Sequence, residues 1–286
     1  MKKKNRRPVD IVVISDVHLG TYGCRATELL KYMKSICPNH VILNGDIIDI
    51  WQFNKRYFPK AHIKVVKQIM NWIAEGIKVD YITGNHDEML RKFVGFQMGS
   101  FQIENKLVLE LNNEKAWVFH GDVFDVTMQY SKWLAKLGAI GYDTLIVINN
   151  GCNWVSKNIL KRGRISLSKK IKNSVKSAVK FIDNFEDTAA EIAISNQYDY
   201  VICGHIHQPQ QRMIIKEQGA VMYLNSGDWI ENLSALEFNH GKWSLFKYEE
   251  HFELHHSEED PMEDLALETN LLFEQLIREF NLMRAS

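Results

Sequence analysis

The sequence predicts an α/β protein in which two packed sheets carry helices on their outer sides, and three observations predict it. Apolar strand-like runs alternate with helical patterns in the N-terminal part. A second block of short strands follows. Most of the early strands, and one late one, end in a short segment of Asp, Asn and His. In open α/β sheets the loops at the carboxyl ends of strands collect functional groups, so this placement is informative.

In chain order, Asp10–Ser15, Val41–Asn44 and Lys78–Thr83 read as strands, and Arg25–Ile36 and Ala61–Glu75 read as amphipathic helices between them. Lys106–Leu111 and Lys115–Phe119 flank the turn signal Asn112-Asn113 and open the second strand-rich block. That block resumes with Tyr200–Cys203, Gln211–Lys216, Val221–Leu224, Leu233–Phe238 and Trp243–Lys247. Between its two parts, residues 126–196 read as a mostly helical insert, with a long amphipathic stretch over Ser166–Ser195. Because polar motifs bound the insert on both sides, it is expected to lie over the site they form. Residues 249–286 read as an acidic, His-rich linker followed by an amphipathic helix over Met262–Met283.

Hydrophobic content of 45% with 24% charged residues is ordinary for a globular chain, and 286 residues suffice for a sizeable core. No apolar run reaches the ~20 residues of a membrane-spanning helix. The basic start, Met1 to Arg7, runs directly into Pro8 and a strand with no signal-like apolar segment, so a cytoplasmic location is expected. Cys24, Cys37, Cys152 and Cys203 form no C-x-x-C pair, which points to a reducing compartment. Zero formal net charge argues against a surface built throughout for nucleic acid.

The chemistry lies in five segments: Asp16-Val17-His18, Gly45-Asp46 with Asp49, Gly84-Asn85-His86-Asp87, Phe119-His120-Gly121-Asp122 and Gly204-His205-Ile206-His207. Imidazole, carboxylate and amide oxygen are ligands for borderline divalent metals such as Mn, Fe and Zn, and seven such groups are enough for two ions. The arrangement expected has Asp16, His18 and His207 on one ion, Asn85, His120 and His205 on the other, and Asp46 bridging. His86 is not needed in that set and is assigned to proton donation to a leaving oxygen or to holding a phosphoryl oxygen, with Asp87 orienting it. Asp49 and Asp122 are expected to fix ligand imidazoles by hydrogen bonds. Glycines 45, 84, 121 and 204 give the backbone close approach. His40, His62, His240, His251, His255 and His256 read as surface residues.

These motifs, in this order, resemble the calcineurin-like metallophosphoesterase superfamily over about Asp10 to Tyr248. The resemblance implies a four-layer α/β/β/α sandwich with a helical lid insert in a catalytic domain of residues 9–248, and the two-metal assignments given above. Within it, Ser15-Asp16-Val17-His18-Leu19-Gly20-Thr21 with Gly23-Cys24-Arg25-Ala26, Gly45-Asp46-Ile47-Ile48-Asp49, and the insert leading to Cys203-Gly204-His205-Ile206-His207 resemble the UDP-2,3-diacylglucosamine diphosphatase-like branch. That branch implies hydrolysis of the pyrophosphate of a lipid-linked nucleotide to lipid X and UMP, a step of lipid A biosynthesis at the inner membrane, with manganese as the usual metal. One departure stands out: His86 occupies the place where the well-known enzymes of the branch carry Arg.

The insert adds a physical expectation. Between Thr144 and Ile182 it carries nine basic and no acidic residues, beside Leu145-Ile146-Val147-Ile148, Trp154, Ile159 and Leu160. Arg162, Arg164, Lys169 and Lys170 are therefore expected to bind substrate phosphates and to favour peripheral contact with the cytoplasmic face of the inner membrane. A soluble nucleotide or other phosphoester is the alternative substrate. Nucleic-acid binding ranks third, because only Trp154 and Phe181 are aromatic within that basic stretch.

Overall fold

A computed structural model describes residues 6–50, 57–124, 182 and 185–248. Most of the expected lid, including Arg162, Arg164, Lys169 and Lys170 and its apolar residues, lies outside the described residues, as do the linker and helix expected over 249–286.

The first sheet has seven strands. β1 (Arg7–Ile14), β2 (Ile36–Asn44) and β3 (Lys78–Ile82) run parallel at its centre, with Val13 opposite Ile42 and Leu43 opposite Tyr81. Crossover helices α1 (Ala26–Ser35) and α2 (Lys60–Ala74) join them. A parallel strand covered on both faces has no polar side to show, which is why Ile11-Val12-Val13-Ile14 is apolar throughout. Ile11 and Val13 face the second sheet, whereas Val12 and Ile14, also buried, face the helices. α1 buries Ala26, Leu29, Leu30, Tyr32 and Met33, and α2 buries Val65, Gln68 and Trp72; these spacings put one stripe of each helix inward.

The sheet extends past β3 by β5 (Phe101–Glu104), parallel to it, and by β4 (Gln97–Met98) at the edge. Neither strand is predicted from the sequence, since two and four residues are too short for a two-residue period to register. On the other side of β1 lies β11 (Ser234–Asn239), antiparallel to it, and beyond that β12 (Lys242–Lys247), antiparallel to β11. They thus leave the strand-rich block to which they are adjacent in sequence and complete the first sheet.

The second sheet has five strands in the order β6 (Lys106–Leu111), β7 (Glu114–Phe119), β8 (Tyr200–Cys203), β10 (Gly219–Asn225), β9 (Gln210–Lys216). Its inner face, Leu109, Ala116, Val118, Ile202 and Leu224, meets Ile11, Val13, Ile42, Ile82, Leu236, Phe238 and Trp243 of the first. Each such aliphatic side chain taken out of water contributes about 1.5–3 kcal/mol, so this layer is the main apolar contribution holding the sheets together. A helix over 185–195, α3, lies on the outer face. Ala189, Ala190 and Ala193 let its axis come close, while Phe185 fills space beside Phe119, Phe124 and Tyr223. The α/β class with two sheets and outer helices is therefore the one the sequence predicts.

The functional consequence is geometric. β1, β2 and β3 of one sheet and β7 and β8 of the other are parallel within each sheet, and the loops after their carboxyl ends carry every motif identified in the sequence.

Candidate active site

The loop after β1 turns sharply. Asp16 and His18 have φ of 50° and 53°, and Asp46, His205 and His207 have φ of 54°, 67° and 53°. Five of the seven expected ligands thus sit in the left-handed region, where a non-glycine residue costs about 1 kcal/mol or more. Main-chain hydrogen bonds hold them there. The Asp16 amide donates to Gly45 O at 3.1 Å, those of Val17 and His18 donate to Asp46 O at 2.9 Å, and that of Trp229 donates to Asp16 O at 3.1 Å.

Three overlapping groups of ligand atoms result: Asp16, His18 and His207; His18, Asp46 and His86; Asp46, His120 and His205, each within 4.8 Å of one another. His18 Nε2 is 3.4 Å from His207 Nε2, and His207 Nε2 is 3.2 Å from Asp16 Oδ1. His120 Nε2 is 3.2 Å from Asp46 Oδ2. The second Asp46 oxygen accepts the His86 amide at 2.8 Å, and the second Asp16 oxygen accepts the His205 amide at 3.0 Å.

The fit to metal ions can be judged from what these atoms lack. Asp16 Oδ1, Asn85 Oδ1 and His120 Nε2 are buried and make no hydrogen bond. An unpaired buried acceptor costs about 1–3 kcal/mol, and a cation bound in the site would offset that cost for these atoms. His120 Nδ1 is 2.8 Å from Asn44 O, which fixes that nitrogen as a donor, so Nε2 is the nitrogen whose lone pair would serve a metal when the ring is neutral. The donor set present, carboxylate and imidazole in three overlapping groups with a buried amide oxygen on Asn85, fits divalent cations.

The charges agree. Burial alone would raise the Asp16 and Asp46 pKa values, but the neighbouring imidazoles, His207 for Asp16 and His120 for Asp46, hold both carboxyls below the ordinary range. Burial would likewise lower His207, but Asp16 lifts it to about 9, and Asp46 lifts His120 well above an ordinary imidazole. Without a cation, these rings carry protons in its place.

Glycine is required at two points. A Cβ on Gly84 would overlap the Asp46 carboxylate and come within 2.7 Å of the Asp46 amide nitrogen; one on Gly45, whose φ is +79°, would run into the His120 ring.

The supporting contacts differ in part from those predicted. Asp49, not Asp87, meets His86: Oδ2 lies 2.8 Å from His86 Nδ1 and 3.3 Å from His18 Nδ1. Asp87 instead accepts the amides of Gly84 at 2.6 Å and Ile47 at 3.0 Å and the Tyr81 hydroxyl at 2.5 Å, so it ties the loops after β2 and β3 together. Asp122 receives the Arg91 guanidinium rather than an imidazole. His62 is buried, with its Nδ1 accepting the Gly20 amide at 3.0 Å, and His40 is paired with Asp80 at 2.6 Å; neither is the surface residue expected. His240 is exposed. His251, His255 and His256 lie outside the described residues.

One supporting segment is not predicted at all. Asn225 donates to Gly204 O at 2.9 Å, and Ser226 Oγ lies 2.7 Å from Ser15 Oγ. Asp228 accepts the amides of Ile230 and Glu231, and it also accepts from the Asn232 side chain, which donates to His207 O at 2.9 Å. These residues end and follow β10, the parallel neighbour of β8, so the same rule that finds the other motifs, a polar run at the end of a parallel strand, would have found Asn225-Ser226-Gly227-Asp228.

Fold and site together define a metallophosphoesterase, a hydrolase of phosphoester or pyrophosphate bonds whose family uses a dinuclear metal centre. The chain belongs to the calcineurin-like phosphoesterase family, which residues 9–209 match. Among curated relatives, it is 25% identical over 248 residues to the UDP-2,3-diacylglucosamine hydrolase of Aliivibrio fischeri (strain MJ11), covering 84% of this chain and 98% of that protein. It is 26% identical over 220 residues to the enzyme of that name from Escherichia coli O9:H4 (strain HS), covering 76% and 89%. Among solved structures, a phosphoesterase from E. coli, Yfce, aligns over 84% of this chain and 93% of its own at 13% identity, with a TM-score of 0.41.

Proposed function

We propose that this chain cleaves the pyrophosphate bond of a lipid-linked nucleotide such as UDP-2,3-diacylglucosamine, giving lipid X and UMP, with two divalent ions, most readily Mn2+, held by Asp16, His18, Asp46, Asn85, His120, His205 and His207. The observation that carries the chemistry is the chain of ligand groups that share Asp46 and His18, together with the three buried atoms left unpaired among them. What supports the substrate is that relatives of that name align over nearly their whole lengths.

Bound there, two divalent ions would supply Lewis acidity and an activated water. The protein's own groups do the rest. Asp46, in contact distance of both His120 and the His86 amide, keeps the two halves of the site in register. Asn44 O and Asp49 aim the His120 and His18 rings. His86, held by Asp49 through Nδ1, would give a proton to the departing oxygen from Nε2.

Peripheral contact with the cytoplasmic face of the inner membrane belongs to the same reading. Met89, Phe93, Phe96 and Met98 stand exposed beside Lys92, an apolar group flanked by positive charge, as at an interfacial surface. No described helix is long and apolar enough to cross a membrane.

The test is release of UMP from UDP-2,3-diacylglucosamine in detergent micelles by Mn2+-loaded protein, with EDTA as control. Turnover that EDTA abolishes, and that falls sharply in Asp46→Ala together with metal content, is expected. Hydrolysis of soluble phosphodiesters with no UMP release from the lipid would overturn the substrate and leave the metal site standing.

A further inference from the structure

Beside His120 the surface opens into a cavity of about 230 Å3 lined by Thr83, Arg91, Asn105, Phe119, His120 and Asp122. Its wall is shared with the site, because His120 offers Nε2 to the ligand groups while its ring also borders the cavity. Arg91 is the cavity's permanently cationic side chain among the described residues. Its Nη2 donates to Asp122, whose side chain is 10% exposed, whereas that of Arg91 is 38% exposed. Nε and Nη1 of Arg91 have no protein partner among the described residues. A guanidinium tethered at one nitrogen by a carboxylate is fixed in direction without being used up, and its planar fork suits two oxygens of a phosphoryl group.

We propose that Arg91, anchored by Asp122, binds the non-reacting phosphoryl group of a diphosphate substrate. The inference rests on the reading above that the bond cleaved is a pyrophosphate. With one phosphoryl group among the imidazoles, the next lies a single bridging oxygen away, and the cavity beside His120 is where a cation stands to meet it. Arg91 would then select diphosphates over monophosphates and simple diesters. Asp122 would act as a positioning residue, since without it the arginine has many rotamers from which to choose.

The test uses full-length, Mn2+-loaded protein with UDP and UMP as competitive inhibitors of bis-p-nitrophenyl phosphate hydrolysis. The ratio of the two inhibition constants is internal to each variant, so a change in overall activity does not affect it. Wild type is expected to bind UDP about 10- to 100-fold more tightly than UMP, the range for hydrogen bonds between charged groups. Arg91→Gln should lose most of that preference, and Arg91→Lys, which keeps the charge but not the fork, should retain part. Asp122→Asn should weaken UDP more than UMP. Metal content and thermal midpoint report that each variant is folded. A UDP-to-UMP ratio equal in wild type and Arg91→Gln would overturn the proposal. An Arg91-dependent ratio in a protein that releases no UMP from UDP-2,3-diacylglucosamine would refute the lipid substrate and leave the role of Arg91 intact; the opposite pair of results would do the reverse.

Discussion

Oδ2 of Asp49 stands 2.8 Å from Nδ1 of His86 and is the same oxygen that lies 3.3 Å from Nδ1 of His18. One buried carboxylate therefore sets the orientation of a ring assigned to an ion and of a ring assigned to the leaving group. Removing it should disturb both. Asp49→Ala is expected to lower metal affinity by about 10- to 100-fold, as loss of a ligand's hydrogen-bond partner does, and to lower kcat further at saturating metal. Metal titration followed by steady-state rates separates the two effects. Normal affinity and normal kcat would show that the two rings are held by something else.

His86 can be removed without emptying the site, since the seven other groups remain. Burial alone would lower its pKa, but the hydrogen bond it donates to Asp49 and the charge of Asp46 raise it, so the ring stays protonated to higher pH than a free imidazole. As a proton donor it is active below its pKa and inactive above it. His86→Ala should keep metal and lose about 100-fold or more in kcat on substrates with alkoxide leaving groups, but much less on nitrophenyl esters, which leave without protonation. The alkaline fall of the wild-type pH–rate profile should be absent in the variant. Equal losses on both leaving groups would assign His86 to holding a phosphoryl oxygen.

Gly84 tests the packing beneath Asp46. In Gly84→Ala the new methyl group meets the Asp46 carboxylate and its amide nitrogen, and backbone there cannot yield as a flexible side chain would. A loss of about 1–3 kcal/mol in stability and of most metal binding is expected, read by thermal unfolding and by metal analysis of the purified protein. Gly76→Ala, at a position with open space but a φ of +79°, shows backbone strain without crowding, whereas Gly84 has no positive φ and shows crowding alone: Gly76→Ala should destabilise the fold while leaving metal binding intact.

Metal binding should release protons. Asp16 raises His207 to about 9 against its counteracting burial, so at neutral pH the metal-free ring is protonated, while a ligand ring must be neutral. A raised folded pKa adds stability that is complete below the unfolded value near 6.5 and is lost as pH climbs through about 9. EDTA-treated protein should therefore lose part of its stability between pH 6.5 and 9, whereas metal affinity rises over the same window. Calorimetric Mn2+ titrations in buffers of different ionisation enthalpy count the protons. No net release at pH 7 would mean that His207 is neutral before metal arrives.

The sequence by itself determined the strand and helix order over most of the described chain and the identity of the groups that converge on the site. Both are written in short-range pattern: a strand buried on two faces is apolar throughout, a helix shows a stripe, and a polar cluster directly after a parallel strand lands at the sheet's carboxyl edge. Only the tertiary structure decided which carboxylate meets which ring. Asp87 is adjacent to His86 in sequence, yet the loop turns it back to the amides of Gly84 and Ile47, and Asp49 reaches His86 across 37 positions. The same holds for Arg91 and Asp122, for the burial of His62 against Gly20, and for the placing of β11 beside β1, with β12 beyond it, instead of in the sheet of their sequence neighbours. Partners of this kind are chosen by how two sheets and their loops stack, and no period within one segment carries that information.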